Sequence, residues 1–161
     1  MRAVLLALAL ALALAGCASP PAPASPRARP TIVSLNPCTD AILAEVADPA
    51  QLRAISHYSH DPRQASMDAE KARRFPAIGG TAEEVVALAP DIVVGSAFMA
   101  PATRAALERL GMRVELLGAP ASVAESIDQV RNLAALAGSP ARGEALVRRI
   151  EAAIALSPGR R

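Results

Sequence analysis

The chain begins with an unbroken apolar run, Ala3 to Ala15, behind the positive start of Met1 and Arg2. A run this short falls below a comfortable membrane span and reads as an export signal. From Ala18 to Pro30 the apolar pattern stops, and Ser, Ala and Arg are mixed with five prolines. Such a composition favours extended, semi-rigid backbone and predicts a tether. Thr31 to Leu35 restores hydrophobicity as a β-branched run suited to a buried strand. A helix is predicted directly after it, with Asn36 as its cap and Pro37 in first position, where a missing N–H leaves no bond unmade. Ile42, Leu43 and Val46 form its apolar face. Leu52 to Ser56 predicts a second strand and His57 to Gln64 a polar loop, while Ala65 to Gly80 carries no clear pattern.

Beyond that stretch the signals sharpen. Thr81 and Glu84 have the spacing of a capping box at the head of a short helix that Pro90 stops. Asp91 to Gly95 reads as a strand, Pro101 to Leu110 as a helix ended by Gly111, and Met112 to Leu117 as another strand. Ser122 and Glu125 form a second capping box, before Val123, Ile127, Val130 and Ala134 at helical spacing. Gly138 ends that helix, and Ser139-Pro140 starts one carrying Leu146, Val147, Ile150 and Ile154. The tail from Ser157 to Arg161 reads as disordered. Strand and helix taking turns predicts an α/β lobe, a parallel sheet flanked by helices, and no solenoid period is present.

Composition narrows the function classes. Among 161 residues, 52% are hydrophobic, with 14 Pro and 9 Gly, no Trp, one Tyr (Tyr58) and two Phe (Phe75 and Phe98). An aromatic base-stacking surface is therefore excluded. The 17 basic and 15 acidic residues leave a net charge of only +2, scattered along the chain, so nucleic acid is not an expected partner. The leader ends in Leu14-Ala15-Gly16-Cys17, which resembles the lipobox of bacterial lipoproteins, with Cys17 as the lipidated thiol; an ordinary cleaved signal or an uncleaved anchor are the alternatives. Lipidation of Cys17 would leave Cys38 as the only free thiol and no intramolecular disulfide.

In an open parallel sheet, ligands sit beyond the carboxyl ends of the strands. Four segments qualify: Asn36 to Thr39, His57 to Pro62, Gly79 to Thr81 and Ser96 to Thr103. The turn Asn36-Pro37-Cys38-Thr39 offers backbone amides and the positive end of a helix, which suit a carboxylate or phosphate. Cys38 sits in that first turn either as a small buried side chain or as a nucleophile, and no nucleophile elbow or Cys-His protease pattern accompanies it. His57, Tyr58 and His60 bring imidazole and phenol groups to one loop. Packing or hydrogen bonding to a ligand, mainly through Tyr58, is the favoured role, and direct metal ligation by the three is the alternative. Ser96 and Phe98 complete the candidate ligand contacts. Glu83, free of the task that Glu84 has in the capping box, is expected to point to solvent. No acid-base pair points to an enzyme, and no cofactor is expected.

Three passages carry a family resemblance: Ile32 to Asp40, Ser56 to Pro62, and above all Gly80 to Val94 with its Leu88-Ala89-Pro90-Asp91 step into a buried strand. From Thr31 to about Leu156 the chain resembles the amino-terminal half of the periplasmic substrate-binding proteins of ABC importers for iron chelates, haem and cobalamin. The resemblance implies two α/β lobes joined by a long helix, with the ligand in the cleft between them. It also implies docking on the permease through one exposed acidic residue per lobe, and Glu83 matches that position in the first lobe. Tyr58 matches a position that contacts the corrin ring in cobalamin-binding members, while the tryptophans lining their cleft are absent here.

The expected organisation is thus a leader over 1–17, a tether over 18–30, an amino-terminal lobe over 31–121, a helical segment over 122–156 that includes the start of the connecting helix, and a tail over 157–161. On this reading the second lobe is absent, and the chain is a truncated or half receptor, exported and lipid-anchored through Cys17. The alternative is a lipoprotein interaction module pairing with another polypeptide through its exposed helix.

Overall fold

The computed structural model describes residues 29–157. The leader, Cys17, most of the tether and all of the tail past Ser157 lie outside the described residues. No helix among those described is long and apolar enough to cross a membrane.

Five strands form one parallel sheet: β1 (Ile32–Ser34), β2 (Leu52–Ser56), β3 (Ala77–Ile78), β4 (Ile92–Ser96) and β5 (Arg113–Leu117), in the order β3-β2-β1-β4-β5. The chain winds outward from β1 to β3, crosses back to β4 beside β1, then moves out to β5. Helices therefore fall on both faces, as right-handed crossovers require. On one face lie α1 (Pro37–Val46), the short α2 (Ala69–Ala72), α5 (Val123–Leu136) and α6 (Pro140–Leu156); on the other lie α3 (Ala82–Leu88) and α4 (Pro101–Arg109).

The strand pleat divides the core. Ile32, Ile55, Ile92 and Val94 pack with Leu43, Val46 and Leu133 on the first face, while Val33, Ala54 and Val93 pack with Val85 and Leu107 on the second. At about 25 cal/mol per Å2 of apolar surface buried, this interior supplies the main stabilisation. β2 shifts register against β1 between Ile32 and Val33, so exposed Arg53 bulges out and Ile55 returns to the first face.

The helix starts follow the sequence closely. Asn36 Oδ1 accepts the Cys38 amide at 2.8 Å, with Pro37 in the first turn. Thr81 and Glu84 close a reciprocal capping box on α3. At α5 the same spacing gives half a box: Ser122 Oγ accepts the Glu125 amide, but the Glu125 carboxylate reaches one residue further back, to the Ala121 amide at 2.7 Å. Ser139 does not cap α6, and its buried hydroxyl has no partner. Gly111, at φ 79°, makes the left-handed turn after α4.

Two stretches hold more structure than the sequence pattern predicts. The His57 to Gln64 loop opens with a 3-10 turn, His57–His60. The patternless stretch after it holds α2 and β3, set by tertiary contact: Ala72 and Phe75 are buried in the first core, and the Ile55 amide donates to Pro76 O.

α5 and α6 pack unusually close. A Cβ on Gly143 would lie 2.5 Å from the Ala134 Cβ, so opposite that alanine only glycine fits. Glu45 on α1 ties α2 and α6 to the same face through ion pairs with Lys71 and Arg149. At the opposite end of the sheet, Asp91 Oδ2 accepts both the amide and the hydroxyl of Thr31 at 2.7 Å, and Thr31 Oγ1 accepts the Asp91 amide. These hydrogen bonds, the backbone one from Thr31 foremost, hold the Asp91 carboxyl below its usual range. Asp91 thus clasps the first residues of β4 to β1, which accounts for its place in the Leu-Ala-Pro-Asp step.

Candidate functional site

Because every strand runs the same way, the segments after β1, β2, β3 and β4 all emerge on one edge of the sheet, which brings the four candidate segments together. After β1, the first turn of α1 presents exposed Cys38 with half-buried Asn36 and Pro37 beside it. After β2 comes the 3-10 turn, after β3 the head of α3, and after β4 the loop Ala97 to Ala100.

Two of these turns share one local design. Ser56 ends β2, and its Oγ accepts the Tyr58 amide at 3.3 Å; Ser96 ends β4, and its Oγ accepts the Phe98 amide at 3.0 Å. In each case a strand-final serine bends the chain and lifts an aromatic ring two residues later onto the rim. Tyr58 is 45% and Phe98 86% exposed. The Tyr58 ring lies against His57, with centroids 4.0 Å apart. His57 Nδ1 is 3.3 Å from Ile78 O and His60 Nε2 is 3.1 Å from Ala72 O, so each imidazole braces its turn against a neighbouring segment. Among the described residues no group of three His, Cys, Asp or Glu side chains is arranged to hold a metal. Asp61 follows, its carboxyl drawn down to about 2 by hydrogen bonds from the Arg63 side chain and backbone and from Gln64.

Two expectations at α1 need correction. Cys38 is exposed, its Sγ 3.7 Å from Ser66 Oγ, because Thr39, Asp40, Leu43 and Val46 take the inward face of the helix. Thr39 is buried, its hydroxyl donating to Asn36 O at 3.0 Å and lying 2.8 Å from Ser34 Oγ, so it faces the interior beneath the rim.

Asp40, which the sequence did not single out, lies at the centre of that interior. Its side chain is fully buried, and Oδ2 accepts the Ser56 amide at 3.0 Å and the Ser59 hydroxyl at 2.7 Å. Oδ1 is buried without a partner. Burial pushes the carboxyl up to about 7, against the opposing pull of its hydrogen bonds.

Glu83 is exposed in the first turn of α3 and forms no ion pair among the described residues. It borders a shallow hollow of 370 Å3 between α3 and α4. A small apolar hollow of 280 Å3 runs from Cys38 past Pro120 and Ile127 to Ile150. A wide hollow of 980 Å3 is lined by Thr31, Asp91, Arg113, Glu115 and Leu136, among others, and touches none of the candidate residues.

Residues 32–156 match the family model described as periplasmic binding protein. Among solved structures, the chain is similar to a periplasmic haem-binding protein from Pseudomonas aeruginosa, at 25% identity and a TM-score of 0.65, over 77% of this chain and 44% of that one. It is similar to the periplasmic haem-binding protein RhuT from Roseiflexus sp. RS-1, at 24% identity and a TM-score of 0.62, over 80% of this chain and 48% of that one. It is also similar to the periplasmic vitamin B12 binding protein BtuF of Vibrio cholerae, at 22% identity and a TM-score of 0.60, over 76% and 47%. The chain spans less than half the length of each. No curated protein matches it.

Proposed function

Because the chain belongs to the periplasmic binding protein family over residues 32–156, we propose that it is the ligand-facing lobe of an exported receptor that captures an iron chelate, haem or cobalamin and hands it to an ABC permease. The observation that carries this reading is the pair of serine turns raising Tyr58 and Phe98 on the same edge of the sheet, beside the amide-rich head of α1. Two rings on a polar rim suit a large, flat or greasy ligand with polar substituents. Asn36, Pro37 and Cys38 would meet a carboxylate or hydroxamate edge, His57 and His60 would flank Tyr58, and Ser96 would hold Phe98 in place. No chemistry on the ligand enters this role. The decisive experiment titrates the full chain with haemin, a ferric siderophore and cyanocobalamin in turn. Saturable binding of one, weakened by Tyr58→Ala and by Phe98→Ala, is expected; binding of none ends the proposal.

Docking would fall to Glu83, whose exposed carboxylate can pair with a permease arginine. Glu83→Arg is expected to lower permease-stimulated ATP hydrolysis while leaving ligand affinity unchanged. The leader and lipobox would tether the lobe to the outer face of a membrane through Cys17. Mass spectrometry of the membrane fraction should find a diacylglyceryl adduct that Cys17→Ser abolishes.

A second reading rests on the last helix, where Ile154 is 47% and Leu156 84% exposed. That face would pack against another polypeptide lobe. Co-purification of such a lobe from native membranes, lost on Ile154→Asp, would favour it.

A further inference from the structure

Beneath the rim, one side chain bonds both the residue that leads into the 3-10 turn and the buried member of that turn. Asp40 Oδ2 takes the amide of Ser56, the last residue of β2, and the hydroxyl of Ser59, the one buried residue of the turn. Between those two anchors sit His57 and Tyr58, and His60 follows directly. All three are exposed, so nothing from outside fixes them except the two carbonyl contacts of the histidines. The corresponding turn after β4 receives no hydrogen bond from a carboxylate; the flexible Met99 side chain folds back against Gly95 beneath it. A carboxylate is an odd choice for a purely structural peg here. It is buried, it has the Ser34 hydroxyl and the Asn36 amide as neighbours but no well-formed hydrogen bond to Oδ1, and no charged side chain pairs with it. Burial without a counter-charge favours the protonated form, and its carboxyl is pushed up to about 7.

We propose that Asp40 is a positioning residue for the ligand-facing edge: its carboxyl sets the placement of the Ser56 to His60 turn and hence of Tyr58, and its protonation state decides how tightly that turn is held. The proposal rests on the reading of this edge as the ligand site. Neutral Asp40 accepts two hydrogen bonds in a dry setting without an unpaired charge. Ionised Asp40 strengthens each bond but brings an uncompensated charge that draws water under the turn. The groups facing it are few. β1 and β2 contribute the hydroxyls of Ser34 and Ser56, the turn contributes Ser59 with His57, Tyr58 and His60 as titratable neighbours, and α1 contributes Cys38 and, further along, Glu45 already paired with Lys71 and Arg149.

The chain supplies its own probe, because Tyr58 is its only tyrosine and it has no tryptophan. Tyrosine emission and anisotropy of the full chain therefore report on this turn alone. A single transition with a midpoint near pH 7 is expected in the wild type and in the double variant His57→Gln/His60→Gln, and its loss in Asp40→Asn, whose amide mimics the neutral acid. A transition that survives Asp40→Asn, or that vanishes with the histidines, overturns the proposal. Should Asp40→Asn fail to fold, carboxyl 13C resonances of the wild type decide: Asp40 must titrate in step with Tyr58. Haemin affinity provides the second arm, expected to fall at least tenfold in Asp40→Ala and to be restored in Asp40→Asn. If haemin binds none of these proteins, the receptor reading fails for that ligand while the Tyr58 titration still decides the role of Asp40.

Discussion

The turn after β2 and the turn after β4 start from one local recipe and end differently. Each has a strand-final serine that accepts the amide two residues on and an aromatic ring at that second residue. Under the first lies Asp40, with the buried hydroxyl of Ser59 drawn down to it. Under the second the hydrogen bonds are main-chain only, the Ala97 amide to Leu117 O and the Met99 amide to Ser96 O, and the Met99 side chain folds back against Gly95. The local motif therefore fixes where a ring is presented, and the layer beneath fixes how firmly. The first turn is held by a buried carboxylate and the second is not, so ordering Phe98 on binding is expected to cost more than ordering Tyr58.

The strongest way to break the contrast is to remove the anchor. Asp40→Ala strands the Ser56 amide and the Ser59 hydroxyl in a dry cavity and is expected to destabilise the fold by about 2 to 4 kcal/mol in urea denaturation. No single truncation in the second turn should approach that.

A pH series sharpens the same difference. The folded carboxyl holds its proton up to about 7, whereas the unfolded chain loses it near 4, so folding takes up a proton between those values. Stability from this group is therefore lost as pH rises from about 4 to 7 and stays level above that. Thermal melts should show the wild type falling behind Asp40→Asn across the window by about 1 kcal/mol per pH unit. A constant gap between the two proteins would refute the buried-acid account.

Ligand affinity separates the two rings next. Tyr58→Ala is expected to cost about tenfold, or ~1.4 kcal/mol, and Phe98→Ala only about threefold, because ordering its unanchored turn offsets part of the gain from burying the ring. Equal losses would mean that anchorage does not matter to binding. The smallest effect belongs to the serines: Ser96→Ala should cost about 0.5 kcal/mol, and Ser56→Ala no more than twice that, since the Asp40 bond to the Ser56 amide survives the substitution.

Much of this architecture could be read from the residues. The caps at Asn36 and Thr81, the proline starts and the alternation of runs placed five of the six α-helices and four of the five strands to within a residue or two. They did so because those signals are local and their physics is local. What escaped depended on distant partners. α2 and β3 are four and two residues long, and they exist because Phe75 and Ala72 find a core to enter. The Ser122 box predicted the start of α5 but not that Glu125 would turn to Ala121, a choice between two amides one residue apart. Cys38, Thr39 and Asp40 are consecutive, and pattern alone could not say which faces the sheet; the inward direction belongs to the helix as a docked body. At the site, the rim and its aromatic rings were legible and the acid beneath them was not, since an aspartate in a first helical turn has a sufficient explanation in the helix dipole.

Gly143 carries one more consequence. Its α-carbon and the methyl of Ala134 occupy the same gap between α5 and α6, and that gap has room for a single methyl group. An alanine can sit on either helix but not on both, so a change at one position alters what the other tolerates. The two positions therefore act as one packing unit, in which the bulk allowed on one helix is set by what the other already carries.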